Sequence, residues 1–575
     1  MAEKSSNKKK TAKKESKVVS KSSEAFDISL KSLNFLKNYW PLIILIIILI
    51  AGLSFRIYHI DYPVVGYHNW KSVHYLSEAR NFAEDGFFTH GFFIPEHDYP
   101  LLNQQGNGAH GDTFPVISII VAIMFKIFGP NLVAARMVGI LFSLGTIVML
   151  YYIIRRLFNS EILALTVAAV TAINPLFIFF SHNIQLMNPG VFFMLTAFYF
   201  YLRWIDDLKA KDMIWTAVFL ALAFLTKYPF AIILVPMIFL FPYKQFKTII
   251  KDWKNIIISL VILSTTVIWF FYAGYISNSL GGAGSISEAI SSVWIIFTAA
   301  WWAPIKAYLA DNYTMMGVTF AILGLVISFF TKANKKAKLF LYGYVVGLII
   351  YVLIMAGKMQ GHSYHQFPIA PLFIILIAYF FVVVAQLVSS FIKHELVSQS
   401  LKILIVVVFF IFLFSPSMEA KDRQFNTQFI GLDIAGEFIK ENSEPWQTMV
   451  NSGQQDYGVL WHADMKGIKG VINHPLVNLI RAENEYNSTW IFLYQWGLAV
   501  TNEPEKWTYI QQNYHLRQFA YIEQGAQAQA LFMVLEKGGS FNASNINNLL
   551  AQEQVHTREY EYTYGKVPVK YINLN

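Results

Sequence analysis

Long apolar runs recur along this chain, and they restrict its fold more than any other feature. Nine runs are long enough to serve as membrane helices: 39–57, 133–154, 160–180, 189–205, 256–276, 313–331, 338–357, 367–391 and 401–416. Two shorter runs, 213–226 and 228–242, flank Lys227. Crossing about 30 Å of hydrocarbon takes roughly 20 helical residues, and a chain inside that layer must satisfy its backbone polar groups internally. The expected fold is therefore a polytopic α-helical membrane protein with about eleven spans. Composition agrees, since 55% of the 575 residues are hydrophobic and only 14% are charged. Mean hydropathy is +0.43. There is no cysteine, which excludes disulfides, a thiolate nucleophile and Cys-based metal sites.

The net charge of +9 does not imply a nucleic-acid partner. Ten Lys against Glu3, Glu15, Glu24 and Asp27 put +6 of that charge in residues 1–40. This Lys/Ser/Ala-rich segment, 1–38, reads as a disordered basic cytoplasmic tail touching anionic lipid. It lacks the apolar stretch and cleavage site of a signal peptide. Orientation follows from the other basic linkers. Arg155-Arg156, Arg203 to Lys211, Lys244 to Lys254, Lys332 to Lys338 and Lys393 to Lys402 all fall on the tail's side of the membrane if the N-terminus is cytoplasmic. Residues 58–132, 181–188, the turn at Lys227, 277–312, 358–366 and 417–575 then face outward, in the plasma membrane of the cell. The apolar stretch Phe114–Gly129 would invert everything after it if it crossed, so it is expected to lie in the outer leaflet as an interfacial or re-entrant helix. The same reading suits 286–308, with Trp294, Trp301 and Trp302.

Three regions follow: the tail at 1–38, a transmembrane domain at 39–416 with a first outer loop at 58–132, and a soluble extracytoplasmic α/β domain at 417–575. The last is polar and alternates apolar segments such as Trp490–Tyr494 and Leu531–Leu535 with helix-like runs at 504–513 and 545–552. No repeat, Gly-rich phosphate loop or Walker motif is present, so ATP-driven transport has no support.

The first outer loop is unusually rich in ionisable groups: Asp61, His68, Lys71, His74, Glu78, Arg80, Glu96, His97, Asp98, His110 and Asp112. Group transfer at a membrane surface needs a base near neutral pH and cations over a phosphate leaving group. The loop holds both. His68 and His74 at i,i+6 are not a helical metal pair. The loop's carboxylates could recruit a divalent cation, but no ligand cluster demands one. Lys227 sits between two segments too short to span comfortably, and paired broken helices often meet where a substrate is held. An ammonium there calls for an anionic partner such as a lipid phosphate. His362, Tyr364, His365 and Gln366 in the outer turn Gly361–Pro371 could bind phosphate, sugar or acceptor hydroxyls. Ser181-His182-Asn183 is similarly placed.

Several of these pieces together carry a family resemblance. Trp70…Ala79-Arg80-Asn81 resembles the HxWRxxDxxxxARN pattern of family 39-like glycosyltransferases, and Asp112-Thr-Phe-Pro115 through Phe128-Gly129 resembles their next helix. Asn174-Pro175…His182…Pro189…Arg203-Trp204, Thr226-Lys227 and His362-Ser-Tyr-His-Gln-Phe-Pro368 are similar to further motifs, in order, over most of residues 40–390. The resemblance implies a GT-C membrane glycosyltransferase related to protein O-mannosyltransferases and lipid A aminoarabinose transferases. Such an enzyme moves a sugar, with inversion, from a polyprenyl- or dolichyl-phosphate carrier to a protein, lipid or glycan acceptor on the extracytoplasmic face. It implies His74, Asp112 or His68 in catalysis, and Trp70, Lys71, Arg80, His182, Lys227, His362, Tyr364, His365 and Gln366 in substrate binding. Two departures stand out. His74 occupies the place of the usual first-loop acid, and Asn188 that of a second-loop acid. They leave room for an alternative, a non-catalytic lipid or glycan binder or a transporter on the same scaffold.

Overall fold

The computed structural model describes residues 39–87, 98–99, 113–276, 293–469, 471–524 and 527–574. The basic tail lies outside the described residues. The chain divides into two units, residues 1–51 and 52–575. In the first, the helix that starts at Tyr39 exposes Leu42, Ile46, Ile47 and Ile50.

Six helices are long and apolar enough to cross a membrane: Tyr39–Arg56, Leu132–Phe158, Trp253–Tyr275, Lys335–Gly361, Ser363–Ser389 and Glu395–Phe425. Three bent pairs raise the number to as many as nine among the described residues. They are Glu161–Ile173 with Pro175–His182 (49°), Tyr228–Leu240 with Tyr243–Lys251 (70°), and Ala299–Tyr313 with Met315–Phe330 (90°). Each bend has a local cause. Asn174 caps the next helix by accepting from the Phe177 amide, and Pro175 fits its first turn. Pro242 interrupts the second pair, and Thr314, at φ 62°, breaks the third while its hydroxyl accepts from the Gly317 amide. Apolar side chains such as Ile257, Leu260, Val261, Ile268 and Phe271 stand exposed on the Trp253–Ile276 helix, where lipid would cover them.

Three of the basic linkers are joined by ion pairs. Arg156 and Lys336 both pair with Asp206, and Arg203 pairs with buried Asp212 at 3.1 Å.

The expected interfacial segment forms the helix Val116–Phe128. It buries Ile117, Val121, Ala122 and Phe125 in a core shared with Val73, Leu76, Ala79 and Phe82 of the helix Asn69–Asp85. That core continues into Leu432, Ala435, Leu460, Phe492, Phe532 and Val534 of the C-terminal region. The first loop is thus packed beneath an α/β layer. Trp301 is buried, with its indole N–H donating to the Ala356 carbonyl, whereas Trp294 and Trp302 are exposed.

The α/β layer holds an eight-stranded mixed sheet. Its strands are β1 (Asp98–Tyr99), β2 (Thr448–Asn451), β3 (Gly467–Lys469), β4 (Ser488–Tyr494), β5 (Tyr514–Gln524), β6 (Gln527–Lys537), β7 (His556–Tyr562) and β8 (Gly565–Asn573), in the order β1-β3-β2-β4-β6-β5-β8-β7. β1, β3, β2 and β4 run parallel, with Asp98 opposite Gly467. The remaining ladders are antiparallel. The segments expected to alternate lie in β4 and β6, and the runs at 504–513 and 545–552 form the helices Pro504–Asn513 and Ile546–Gln552. Two features escape a sequence reading. The first loop contributes the edge strand β1, and the helix Glu395–Phe425 passes through Pro416, so position 417 marks no break in structure.

Candidate functional site

The site forms where three chain breaks converge. The first precedes the helix Asn69–Asp85, where His68 adopts a left-handed backbone (φ 61°, ψ 26°). His is among the residues that tolerate this region. The second is Lys227, extended between the helix Ala210–Thr226 and the 3-10 turn Tyr228–Ile233, which opens on Pro229. The third is the 3-10 turn Ser363–Ile369 after His362. Its carbonyls are held by tyrosine hydroxyls, with Tyr351 donating to His365 O, Tyr313 to Gln366 O and Tyr344 to Pro368 O. The turn is therefore a fixed platform.

Aromatic rings and lysines meet there. The His68 ring lies 5.6 Å from His362, 5.2 Å from Tyr364 and 5.8 Å from Phe180, centroid to centroid. His362 stacks on Tyr364 at 5.1 Å, and Trp70 is 5.7 Å from His362. Lys71 Nζ stands 4.3 Å from the Trp70 ring centroid, and Lys227 Nζ 5.0 Å from that of Tyr364. His68 is 1% exposed, and neither ring nitrogen has a hydrogen-bond partner among the described residues. Burial, and then the charges of Lys71, Lys227 and Lys358, push His362 down to about 4. Burial, His362 and Lys71 bring His68 down to about 3. Both imidazoles are neutral at pH 7, His362 under the influence of three ammonium groups and His68 of one.

The remaining predicted residues occupy distinct positions. His365 is buried behind the platform, 4.6 Å from the Tyr364 ring. The Gln366 side-chain oxygen accepts from Asn312, and the residue lines an apolar cavity of about 330 Å³ with Trp301, Ile305, Val352 and Phe373. His74 pairs with Glu78 at 3.3 Å, both are buried, and Glu78 also accepts from the Ser118 hydroxyl at 2.6 Å. Arg80 is not in the cluster; it pairs with Asp464 and lies over Trp461 in the α/β layer. His182 stands in a smaller pocket with His59, Tyr67, Arg136 and Phe425. Asp112 lies outside the described residues. Phe114, two residues on, donates its amide to the Leu225 carbonyl at 3.1 Å and packs on Trp269, which anchors this part of the chain two residues from Lys227.

Two contributors, Lys358 and Phe180, were missed in the sequence, and the pairing of Glu78 with His74 went unread. Lys358 precedes His362 by four residues at a helix end, and Phe180 neighbours His182. Glu78 is spaced i,i+4 from His74, a signal that could have paired them. Among the described residues no group of three His, Cys, Asp or Glu could hold a metal ion.

Comparison with known proteins gives a consistent fold. The model of the family described as dolichyl-phosphate-mannose-protein mannosyltransferase matches residues 110–269, which include the Val116–Phe128 helix and Lys227. No curated protein matches the chain by sequence. Among solved structures, ArnT from Cupriavidus metallidurans in the apo state superposes with a TM-score of 0.57 at 11% identity, covering 85% of this chain and 97% of ArnT. The same protein bound to undecaprenyl phosphate gives 0.55 at 12% identity, covering 91% and 97%. Arabinofuranosyltransferase AftD from Mycobacteria gives 0.51 at 11% identity, covering 87% of this chain but 40% of AftD. The chain has the fold of the GT-C membrane glycosyltransferases.

Proposed function

We propose that this GT-C-fold chain is an inverting glycosyltransferase, moving a sugar from a polyprenyl- or dolichyl-phosphate carrier to a protein, lipid or glycan acceptor. The observation that carries this reading is the placement of Lys71 over Trp70 and Lys227 over Tyr364, the two rings that flank His362. ArnT, the similar structure, has been solved with undecaprenyl phosphate bound. In this reading the lysines hold the carrier phosphate, and the aromatic rings of Trp70, His362 and Tyr364 flank the sugar.

A base removes the acceptor's proton, the acceptor oxygen bonds to the anomeric carbon, and the carbon–oxygen bond to phosphate breaks. The polyprenyl phosphate leaves with the bonding electrons, its charge met by the lysines. Two groups compete for the base. His74 has Glu78 to orient it and to stabilise its charged form, the arrangement expected of a histidine base. Asp112, outside the described residues, is the other candidate; two residues on, Phe114 donates its amide to the Leu225 carbonyl, two residues from Lys227. His68, neutral and facing His362, would accept or donate a hydrogen bond to the sugar or phosphate.

The finer topology belongs to the same proposal. A count of about eleven spans takes the helices Met187–Asp207 and Ala210–Thr226 as crossing in addition to the nine. The clustering of Arg156, Lys336 and Asp206 supports a cytoplasmic face for those linkers, with residues 417–575 outside the plasma membrane.

A non-catalytic carrier-binding protein is the second reading, favoured by Asn188, whose amide donates to the Phe180 carbonyl as a structural brace where an acid was expected. Sugar release separates the two. Purified protein given a polyprenyl-phosphate sugar should release carrier phosphate, and His74→Ala or Asp112→Ala should cut the rate by about a hundredfold at the true base. Binding without release supports the second reading, and full turnover by both variants removes both base assignments.

A further inference from the structure

The segment carrying His68 is tied to the α/β layer by a series of backbone and side-chain hydrogen bonds. Val64 donates its amide to His462 Nε2 at 3.1 Å, and Val65 O accepts from the Phe429 amide at 2.6 Å. Gly66 bridges to Gln428. Asn69, 2% exposed, completes the series: its Nδ2 donates to Gln455 O at 2.7 Å, and its Oδ1 accepts from the Gly458 amide at 3.2 Å. The approach is backbone to backbone, because a Cβ at Gly458 would stand 2.2 Å from Val64 O. Between these ties sits His68, in a left-handed conformation and with no hydrogen bond of its own side chain among the described residues to fix its ring.

We infer that Asn69 is a positioning residue. By bridging to the Gln455–Gly458 turn it locks the left-handed backbone of His68 and so aims that ring at His362 and Tyr364. The α/β layer thereby acts on carrier-sugar turnover without touching the carrier. The inference rests on the reading of the lysine–aromatic cluster as the carrier site. Asn69 differs in kind from other ties to the layer, such as that between His59 and Glu561, which lies outside the 64–69 segment.

The test uses the full chain in lipid nanodiscs with a polyprenyl-phosphate sugar as probe. Asn69→Ala should lower turnover about tenfold in the wild-type background and less than about twofold in a His68→Ala background, because positioning matters only while the ring is present. Glu561→Ala should leave turnover unchanged. Independently of activity, diethyl pyrocarbonate followed by peptide mass spectrometry should carbethoxylate His68 in Asn69→Ala and spare it in wild type. Multiplying losses in the double variant, or a His68 equally protected in Asn69→Ala, overturns the positioning role. If His68 becomes reactive in Asn69→Ala but His68→Ala turns over like wild type, the latch stands as a conformational fact. The assignment of His68 to the carrier site is then what fails, and with it the effect on turnover.

Discussion

Single side chains decide whether this site can handle an anion. The His362 imidazole is neutral at pH 7 because burial and three lysines disfavour its charge, so it does not add to the local positive charge. Replacing Glu78 by Gln should remove the charge that supports a protonated His74 while keeping the contact with Ser118. If His74 is the base, turnover should fall about tenfold and the acidic limb of the rate profile should move to lower pH; an unchanged profile argues for Asp112 instead. At this scale the sequence was informative but partial. His68, Trp70, Lys71, Lys227, His362 and Tyr364 meet in space because each lies at or beside a chain break, and breaks are readable from Pro and from interrupted apolar runs. Arg80 and His182 went elsewhere because their partners, Asp464 and Phe425, come from distant parts of the chain that no local pattern announces.

Elements matter through how closely they approach one another. Gly458→Ala places a methyl against the Val64 carbonyl, a backbone atom that cannot rotate away, and should cost ~1–3 kcal/mol, seen as a lower melting temperature. A melting temperature equal to wild type would mean that the turn does not sit against Val64. The same turn holds Asp456, fully buried, with Asn451 Nδ2 and the Gly453 amide donating to it. Burial outweighs those bonds and raises the carboxyl from 3.8 to about 7. The folded state therefore keeps a proton that the unfolded chain releases, and this group's contribution falls as pH rises from about 4 to 7. Relative to wild type, Asp456→Asn should gain stability progressively across that window and hold the gain above it. A difference independent of pH would contradict the assignment. Helix and strand identities were legible here, since apolar runs and alternation report periodicity directly. The bent pairs and β1 were not, because a break angle and an edge pairing depend on tertiary neighbours.

For the whole molecule, the claim is that basic linkers lie on one side of the membrane, and the carrier cluster and α/β layer on the other. The absence of cysteine makes this directly measurable. Lys209→Cys and Tyr564→Cys introduce thiols at exposed positions, and a membrane-impermeant maleimide applied to intact cells should label the second and not the first. The reverse pattern would invert the topology. That the chain carries several helices apolar enough to cross a membrane could be read from hydropathy. The docking of the α/β layer onto the first loop could not, because its continuous core joins residues such as Leu76 and Phe532. The central claim is that Lys71, Lys227 and Lys358 create a site for a polyprenyl phosphate. Its most direct measurement is the affinity of the full chain in nanodiscs for polyprenyl phosphate, compared with Lys227→Ala. Saturable binding that weakens about tenfold or more in the variant is predicted; equal affinity in both, or none in wild type, would contradict it.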